Sequence, residues 1–157
     1  MRNALYLQTP RRKVTVLEVA AMRDRFPEEY AAFQRRGGLL ISSLPKRPHF
    51  EVVIATFVIE TICDPTERRN LVQSIRRCLK SGGAFILSVR GPRDLLTAKN
   101  KGKRCNDGFI TPNRSFARAY TRRQLNDFLG TMGFSRLDFL HKPSSKAPEY
   151  LHVIAWK

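Results

Sequence analysis

The chain has 157 residues, 42% of them hydrophobic, and 29 Lys and Arg against 13 Asp and Glu, a formal net charge of +16. That length and apolar content fit one packed domain over 1–157, and no window holds the roughly 18 apolar residues of a membrane helix. The stretch MRNALYLQTPRRK has no apolar core of signal-peptide length, and Cys63, Cys78 and Cys105 follow no zinc or disulfide spacing. The expectation is a cytoplasmic chain with reduced thiols, no metal site and no membrane partner. Its charge is the electrostatic footprint of a nucleic-acid binder, although acidic proteins would be attracted too.

In chain order, KVTVLE around Val14, Val16 and Leu17 predicts a strand, and a helix follows from Pro27, a tolerated first-turn proline, to Gly37-Gly38. LLISSLP predicts a short strand. FEVVIATFVIE is apolar on both faces, as a buried central strand of a parallel sheet is. Asp64, Pro65 and Glu67 form a helix start signal. That helix places Leu71, Val72, Ile75 and Leu79 inward and Arg68, Arg69, Arg76 and Arg77 mostly toward water, with Gly82-Gly83 as its stop. AFILSVR is a second buried strand. The breaker-rich stretch from about 91 to 116 reads as a long basic loop. YTRRQLNDFLGTMGF predicts a helix capped by Thr121 with Leu125, Phe128 and Leu129 inward, and SRLDFLHK and EYLHVIAWK predict a closing antiparallel pair. The pattern is α/β with a mostly parallel sheet and a C-terminal antiparallel hairpin.

FEVVIATFVIE, CLKSGGAFILSVR, YTRRQLNDFLGTMGF and YLHVIAWK, in this order and spacing, resemble the second half of a class I S-adenosylmethionine-dependent methyltransferase. The likeness covers roughly Val14 to the C-terminus. It implies a Rossmann-like fold and methyl transfer by alignment of a nucleophile with the cofactor above the carboxyl ends of the strands. A narrower likeness joins VTVLEVAAMRDRFP, VIETICDPTERR, LSVR and DGFITPNRSFARAYTRRQL. These are similar to the methyltransferases associated with DNA phosphorothioation systems, which implies a DNA-modification setting.

One family feature is absent from the sequence: the Gly-rich turn after the first strand, where glycines let the backbone approach the cofactor. ALYLQ is the candidate for a residual first strand. Three readings stand side by side: a fragment of a longer methyltransferase, an N-terminally truncated homologue, and a different strand register. The second is preferred, with cofactor binding in doubt. A lost central strand leaves an open edge that a protein partner or self-association would complete.

The resemblance assigns cofactor roles to Glu18, which would accept hydrogen bonds from the ribose hydroxyls, to Ser43 and Leu44 beside Ser42 near the adenine, and to Phe57 near Thr56 and Glu60 at the end of the next strand. Arg90 and Arg93 follow the AFILSVR strand, at the edge where ligands of open α/β sheets bind. With Lys99, Lys101, Lys103 and Arg104 they are candidate phosphate contacts. From Arg93 to Arg123 nine Lys/Arg face two Asp, a surplus that concentrates this role in one segment. Phe109 and Tyr120 are candidates to stack on bases, while Phe116 reads as core. Asp107-Gly108 is a turn signal that also falls on the narrower likeness. No base-methylation motif is present, Cys63 reads as leading into a helix, and His49, His141 and His152 are isolated, so no catalytic residue is assigned. The rival to an enzyme is a non-catalytic nucleic-acid-binding or scaffolding subunit with the same fold.

Overall fold

The computed structural model describes residues 2–18, 20–96, 102–140 and 148–157. They cluster into two compact units, Met1–Leu44 and Pro45–Lys157. The first holds α1 (Arg2–Leu7), β1 (Thr15–Leu17), α2 (Ala20–Arg25), α3 (Pro27–Arg35) and β2 (Leu39–Ile41). β1 and β2 pair in parallel with Leu17 opposite Ile41. α3 starts at Pro27 as expected, carries Glu28 and Glu29 at its positive end, and buries Tyr30 and Phe33. Gly37 closes it at φ +82, and a Cβ on Gly38 would lie 2.3 Å from the Phe33 ring. ALYLQ is not a strand. Its good helix formers put Ala4 to Leu7 in α1, and the Gln8 amide donates to the Ala4 carbonyl at 3.1 Å.

The second unit holds β3 (Phe50–Thr56), a 3-10 turn (Ile59–Thr61), α4 (Pro65–Cys78), β4 (Leu79–Arg90), β5 (Lys103–Cys105), β6 (Gly108–Ile110), β7 (Phe116–Ala117), α5 (Arg122–Thr131), β8 (Arg136–Phe139) and β9 (Tyr150–Trp156). One sheet runs β3-β4-β9-β8. β3 and β4 are parallel, while β4 with β9 and β8 with β9 are antiparallel. The closing antiparallel pair is therefore present, but the sheet is mixed rather than mostly parallel. β3 is its edge strand, and Val52 and Ile54 are about half exposed, so the apolar run does not mark a strand buried on both faces. The other face is the core: Phe85, Leu87 and Val89 of β4, Val153 and Ala155 of β9, Val72 and Ile75 of α4, and Leu125 and Leu129 of α5 are closed to solvent. Each such side chain contributes about 1.5–3 kcal/mol relative to exposure. Among the described residues no helix is long and apolar enough to cross a membrane.

Both helix starts follow the sequence signals. The Asp64 carboxylate accepts from the Thr66 amide at 2.7 Å, and Thr121 with Gln124 forms a reciprocal capping box. The α4 stop differs from expectation. The helix ends at Cys78, and Gly82 (φ +68) and Gly83 lie in an excursion of β4 where the register with β3 slips between Phe50 and Val52. A Cβ on Gly83 would sit 2.9 Å from the Lys80 carbonyl oxygen, so close backbone approach explains that glycine better than a helix stop does.

The expected basic loop contains a three-stranded antiparallel meander, β5-β6-β7, turned at Asn106 (φ 48) and Asp107. Arg68 holds this meander against α4. It was expected to face water on a charged helix surface, but it is 1% exposed. Its Nη1 and Nη2 donate to the two Asp107 oxygens at 2.9 Å each, and Nη1 also reaches the Tyr120 hydroxyl at 3.3 Å. Nε donates to the Ile62 carbonyl at 3.2 Å and Nη2 to the Cys63 carbonyl at 3.4 Å. Burial alone would lower the Arg68 pKa, but the Asp107 and Tyr120 hydrogen bonds outweigh it and leave the group held above its ordinary value. Asp107 is correspondingly held below its own against the opposing effect of burial. Arg118 pairs with the same carboxylate.

Arg68→Ala leaves these acceptors stranded and is expected to lower the unfolding free energy by about 3 kcal/mol. The neighbouring Arg69→Ala, on an exposed position, is expected to change it by less than about 0.5 kcal/mol. Urea unfolding at unchanged slope reads both.

Candidate active site

In parallel α/β pairs, ligand crevices lie beyond the carboxyl ends of the strands. β3 ends at Thr56, and the chain turns through Phe57 at φ 57. A bulky residue held there costs about 1–3 kcal/mol, and such strain gathers at functional positions. The Phe57 amide donates to the Ser88 carbonyl of β4 at 2.9 Å, and its ring meets Tyr150 edge-on at a 5.3 Å centroid distance. The 3-10 turn then carries Glu60, which is fully buried and whose carboxylate oxygens have no partner in regular hydrogen-bond geometry among the described residues. Two backbone bonds fix its surroundings. The Arg118 amide donates to the Glu60 carbonyl and the Tyr120 amide to the Arg90 carbonyl, both at 3.0 Å. The segment before α5 therefore ties the Glu60 turn to the end of β4.

Burial pushes the Glu60 carboxyl up to about 7. The backbone amides of Glu60 and Arg90 and the Arg90 charge offset part of the effect, and Asp94 adds to it. Arg90 Nη1 is paired with Asp94 Oδ2 at 2.5 Å, while Arg90 Nε is buried with no hydrogen-bond partner among the described residues. The Tyr150 hydroxyl donates to Asp94 Oδ1 at 3.4 Å. One strand edge thus gathers Phe57, Glu60, Arg90, Asp94 and Tyr150. At this edge two buried polar groups, a carboxylate and an Nε–H, have no regular hydrogen-bond partner among the described residues. A carboxyl group poised near neutrality can take a proton from a bound nucleophile.

The first unit has its own carboxyl edge. Glu18 directly follows β1, and its amide donates to the Ile41 carbonyl at the end of β2 at 3.2 Å. Ser42, Ser43 and Leu44 come next in the chain, so Glu18, Ser43 and Leu44 share one end of the β1–β2 pair. The buried Tyr30 hydroxyl donates to Glu18 Oε2 at 2.9 Å. Burial first, and this bond second, push Tyr30 up to about 12, so it stays protonated and orients the carboxylate. An acceptor carboxylate beside two hydroxyl-bearing residues at a parallel strand edge fits the ribose and base of an adenosine. Phe57 belongs to the other unit.

Among the expected phosphate contacts, Arg93 is exposed and Lys103 and Arg104 are exposed on β5, whereas the Arg90 guanidinium is held by Asp94. Lys99 and Lys101 lie outside the described residues, as does His141. Phe116 is core at 7% exposure, and Tyr120 is closed to solvent, so it presents no face for a base to stack on. His152 Nδ1 shares a hydrogen with Ser88 Oγ at 2.8 Å. Asp107 is the Arg68 clamp. Sequence reasoning named Glu60 only beside Phe57, at a strand end where the resemblance places substrate- or cofactor-facing groups, and assigned no role to Asp94 or Tyr150. The readable signal for Glu60 was a lone carboxylate inside the apolar run FVIETI.

The Glu60 carboxyl sits above its ordinary value of 4.5 in the fold. The folded state therefore holds that proton more tightly than the unfolded chain, so its stabilising contribution is complete below 4.5 and lost as pH rises through about 7. Glu60→Gln removes the charge and keeps the shape. Chemical unfolding across pH is expected to find the variant more stable than the native chain by about 3 kcal/mol on the alkaline side, and equal to it on the acid side.

No protein-family model matches the sequence, and no curated protein does. Solved structures do match in fold. A SAM-dependent methyltransferase from Methanosarcina mazei superposes with TM-score 0.69 at 19% identity, over 92% of this chain and 82% of that one. The 1,6-didemethyltoxoflavin-N1-methyltransferase of Burkholderia thailandensis, solved with 1,6-didemethyltoxoflavin and S-adenosylhomocysteine, gives 0.62 at 20%, over 83% and 56%. An O-methyltransferase family protein from the same organism gives 0.66 at 12%, over 94% and 44%. The chain thus spans about half the length of the two Burkholderia proteins. At these identities the likeness is one of fold, and the fold is the class I methyltransferase-like α/β fold.

Proposed function

We propose that the chain is a S-adenosylmethionine-dependent methyltransferase whose acceptor is a nucleic acid. The observation that carries the reading is Glu60, a buried carboxyl poised near neutrality at the carboxyl end of the β3–β4 pair, in a fold shared with methyltransferases. Glu18, oriented by Tyr30, and Ser43 and Leu44 hold the adenosine end of the cofactor. When bound, the cofactor supplies an electrophilic methyl group. On the second unit, Glu60 takes a proton from a nucleophile bound at the β3–β4 edge, which the strained Phe57 turn and Tyr150 wall. The +16 charge and the exposed Arg93, Lys103 and Arg104 support a phosphate-bearing acceptor. The likeness of DGFITPNRSFARAYTRRQL to proteins of DNA phosphorothioation systems makes duplex DNA the acceptor to test first.

Calorimetric titration with S-adenosylhomocysteine is expected to show binding that Glu18→Ala weakens by about 10- to 100-fold, the loss of hydrogen bonds to a charged group. Glu60→Gln is expected to keep that affinity and lower methyl transfer to DNA by about 100-fold. Equal cofactor affinity in Glu18→Ala would contradict the assignment. Steep salt dependence of DNA binding in a folded chain with no cofactor affinity would leave only the non-catalytic binding module. Each of Arg93→Ala, Lys103→Ala and Arg104→Ala is expected to reduce the slope of log K against log salt by about one.

A further inference from the structure

Cys63 Sγ and Cys105 Sγ lie 3.4 Å apart, although 42 residues separate them in sequence. Both thiols are free and partly exposed. Cys63 sits between the 3-10 turn and the Asp64 cap of α4, and Cys105 ends β5 directly before the Asn106–Asp107 turn. The backbones that carry them are pinned from both sides. Arg68 bonds the Ile62 and Cys63 carbonyls on one side and both Asp107 oxygens on the other, and Asn106 Nδ2 donates to the Cys63 carbonyl at 3.3 Å and reaches its sulfur at 3.4 Å. The two sulfurs therefore meet because three polar side chains and two carbonyls fix the segments that bear them. A covalent bond needs a separation near 2.05 Å, so the two sulfurs must close by about 1.4 Å.

We propose that Cys63 and Cys105 form a dithiol–disulfide site that a low-molecular-weight disulfide oxidises, locking the β5–β6 hairpin onto the segment leading into α4. One cysteine, as thiolate, attacks a sulfur of the small disulfide. A mixed disulfide forms and one small thiolate leaves. The second cysteine, as thiolate, then attacks the protein sulfur of that mixed disulfide and expels the other small thiolate. The protein loses two protons and two electrons, and the small disulfide gains both as two thiols. The hydrogen bond to Cys105 holds the Cys63 thiol above its ordinary pKa, which slows the first attack near neutrality. Cys78 is fully buried, with Sγ donating to the Ile75 carbonyl at 3.1 Å, and takes no part. The site is independent of the methyl-transfer reading, because nothing in it requires a cofactor.

The test treats the full chain with oxidised glutathione in mildly alkaline buffer, alkylates the remaining thiols and measures intact mass and a non-reducing peptide map. The expected result is a monomer that has lost two hydrogens, a Cys63–Cys105 cross-linked peptide, and an alkylated Cys78. The cross-link is expected to raise Tm by roughly 5–10 °C, reversibly with a reductant. Cys105→Ser is expected to stop at a stable glutathione adduct on Cys63, and Cys78→Ser to cross-link as the native chain does. Stable adducts on both cysteines of the native chain, cross-linked dimers, or free Cys63 and Cys105 under conditions that oxidise the urea-unfolded chain would each overturn the proposal.

Discussion

A guanidinium shut away from water must find acceptors for its donors, and Arg68 imposes that requirement on three segments at once. It draws on the carbonyls of Ile62 and Cys63, the carboxylate of Asp107 and the hydroxyl of Tyr120. These belong to the approach to α4, the tip of the meander and the approach to α5. Apolar side chains of similar volume can fill such a space with no loss of stability, and sometimes with a gain, so what the charge adds is direction. Its planar fork meets Asp107 in one arrangement, which sets where the β5–β6 hairpin lies on the unit. Gly108 shows how tight the result is: a Cβ there would stand 2.5 Å from the Phe116 ring and 2.6 Å from the Ala117 carbonyl oxygen.

That arrangement reaches the candidate site through the backbone. Tyr120, which shares the Arg68 Nη1, donates its amide to the Arg90 carbonyl, and Arg118, which shares Asp107, donates its amide to the Glu60 carbonyl. The satisfied network around Arg68 thus positions an unsatisfied pair, the Glu60 carboxylate and Arg90 Nε. Proteins tolerate such exceptions where chemistry needs them, and the left-handed Phe57 three residues earlier is a second local cost at the same strand end. Free energy given up at this edge is recovered in the sheet behind it, where Phe85, Leu87 and Val89 are closed to solvent.

Local signals in the sequence were legible wherever one segment decides its own structure. Pro27, the Asp64–Pro65 cap and the Thr121 cap each start a helix where the residues say they do. The βαβ unit and the closing hairpin followed from periodicity. What could not be read was set by distant partners. Arg68 looks like one more surface arginine in ERRN until Asp107 arrives from 39 residues away. The FEVVIATFVIE run looks central, but strand order makes β3 an edge, and composition does not encode order. The meander hides in a polar stretch because its strands are only two or three residues long. In the candidate site, Glu18, Ser43, Leu44 and Phe57 were reachable through a family likeness. Glu60 required knowing that the fold shuts its carboxyl away from solvent.

The most direct test of the account is amide hydrogen exchange of the native chain with and without S-adenosylhomocysteine. A methyltransferase-type cofactor edge predicts slowed exchange in the amides from Val16 to Glu18 and from Leu40 to Leu44, with the α5 amides unchanged. Identical exchange in both samples at saturating ligand, in a chain that remains folded, would contradict it.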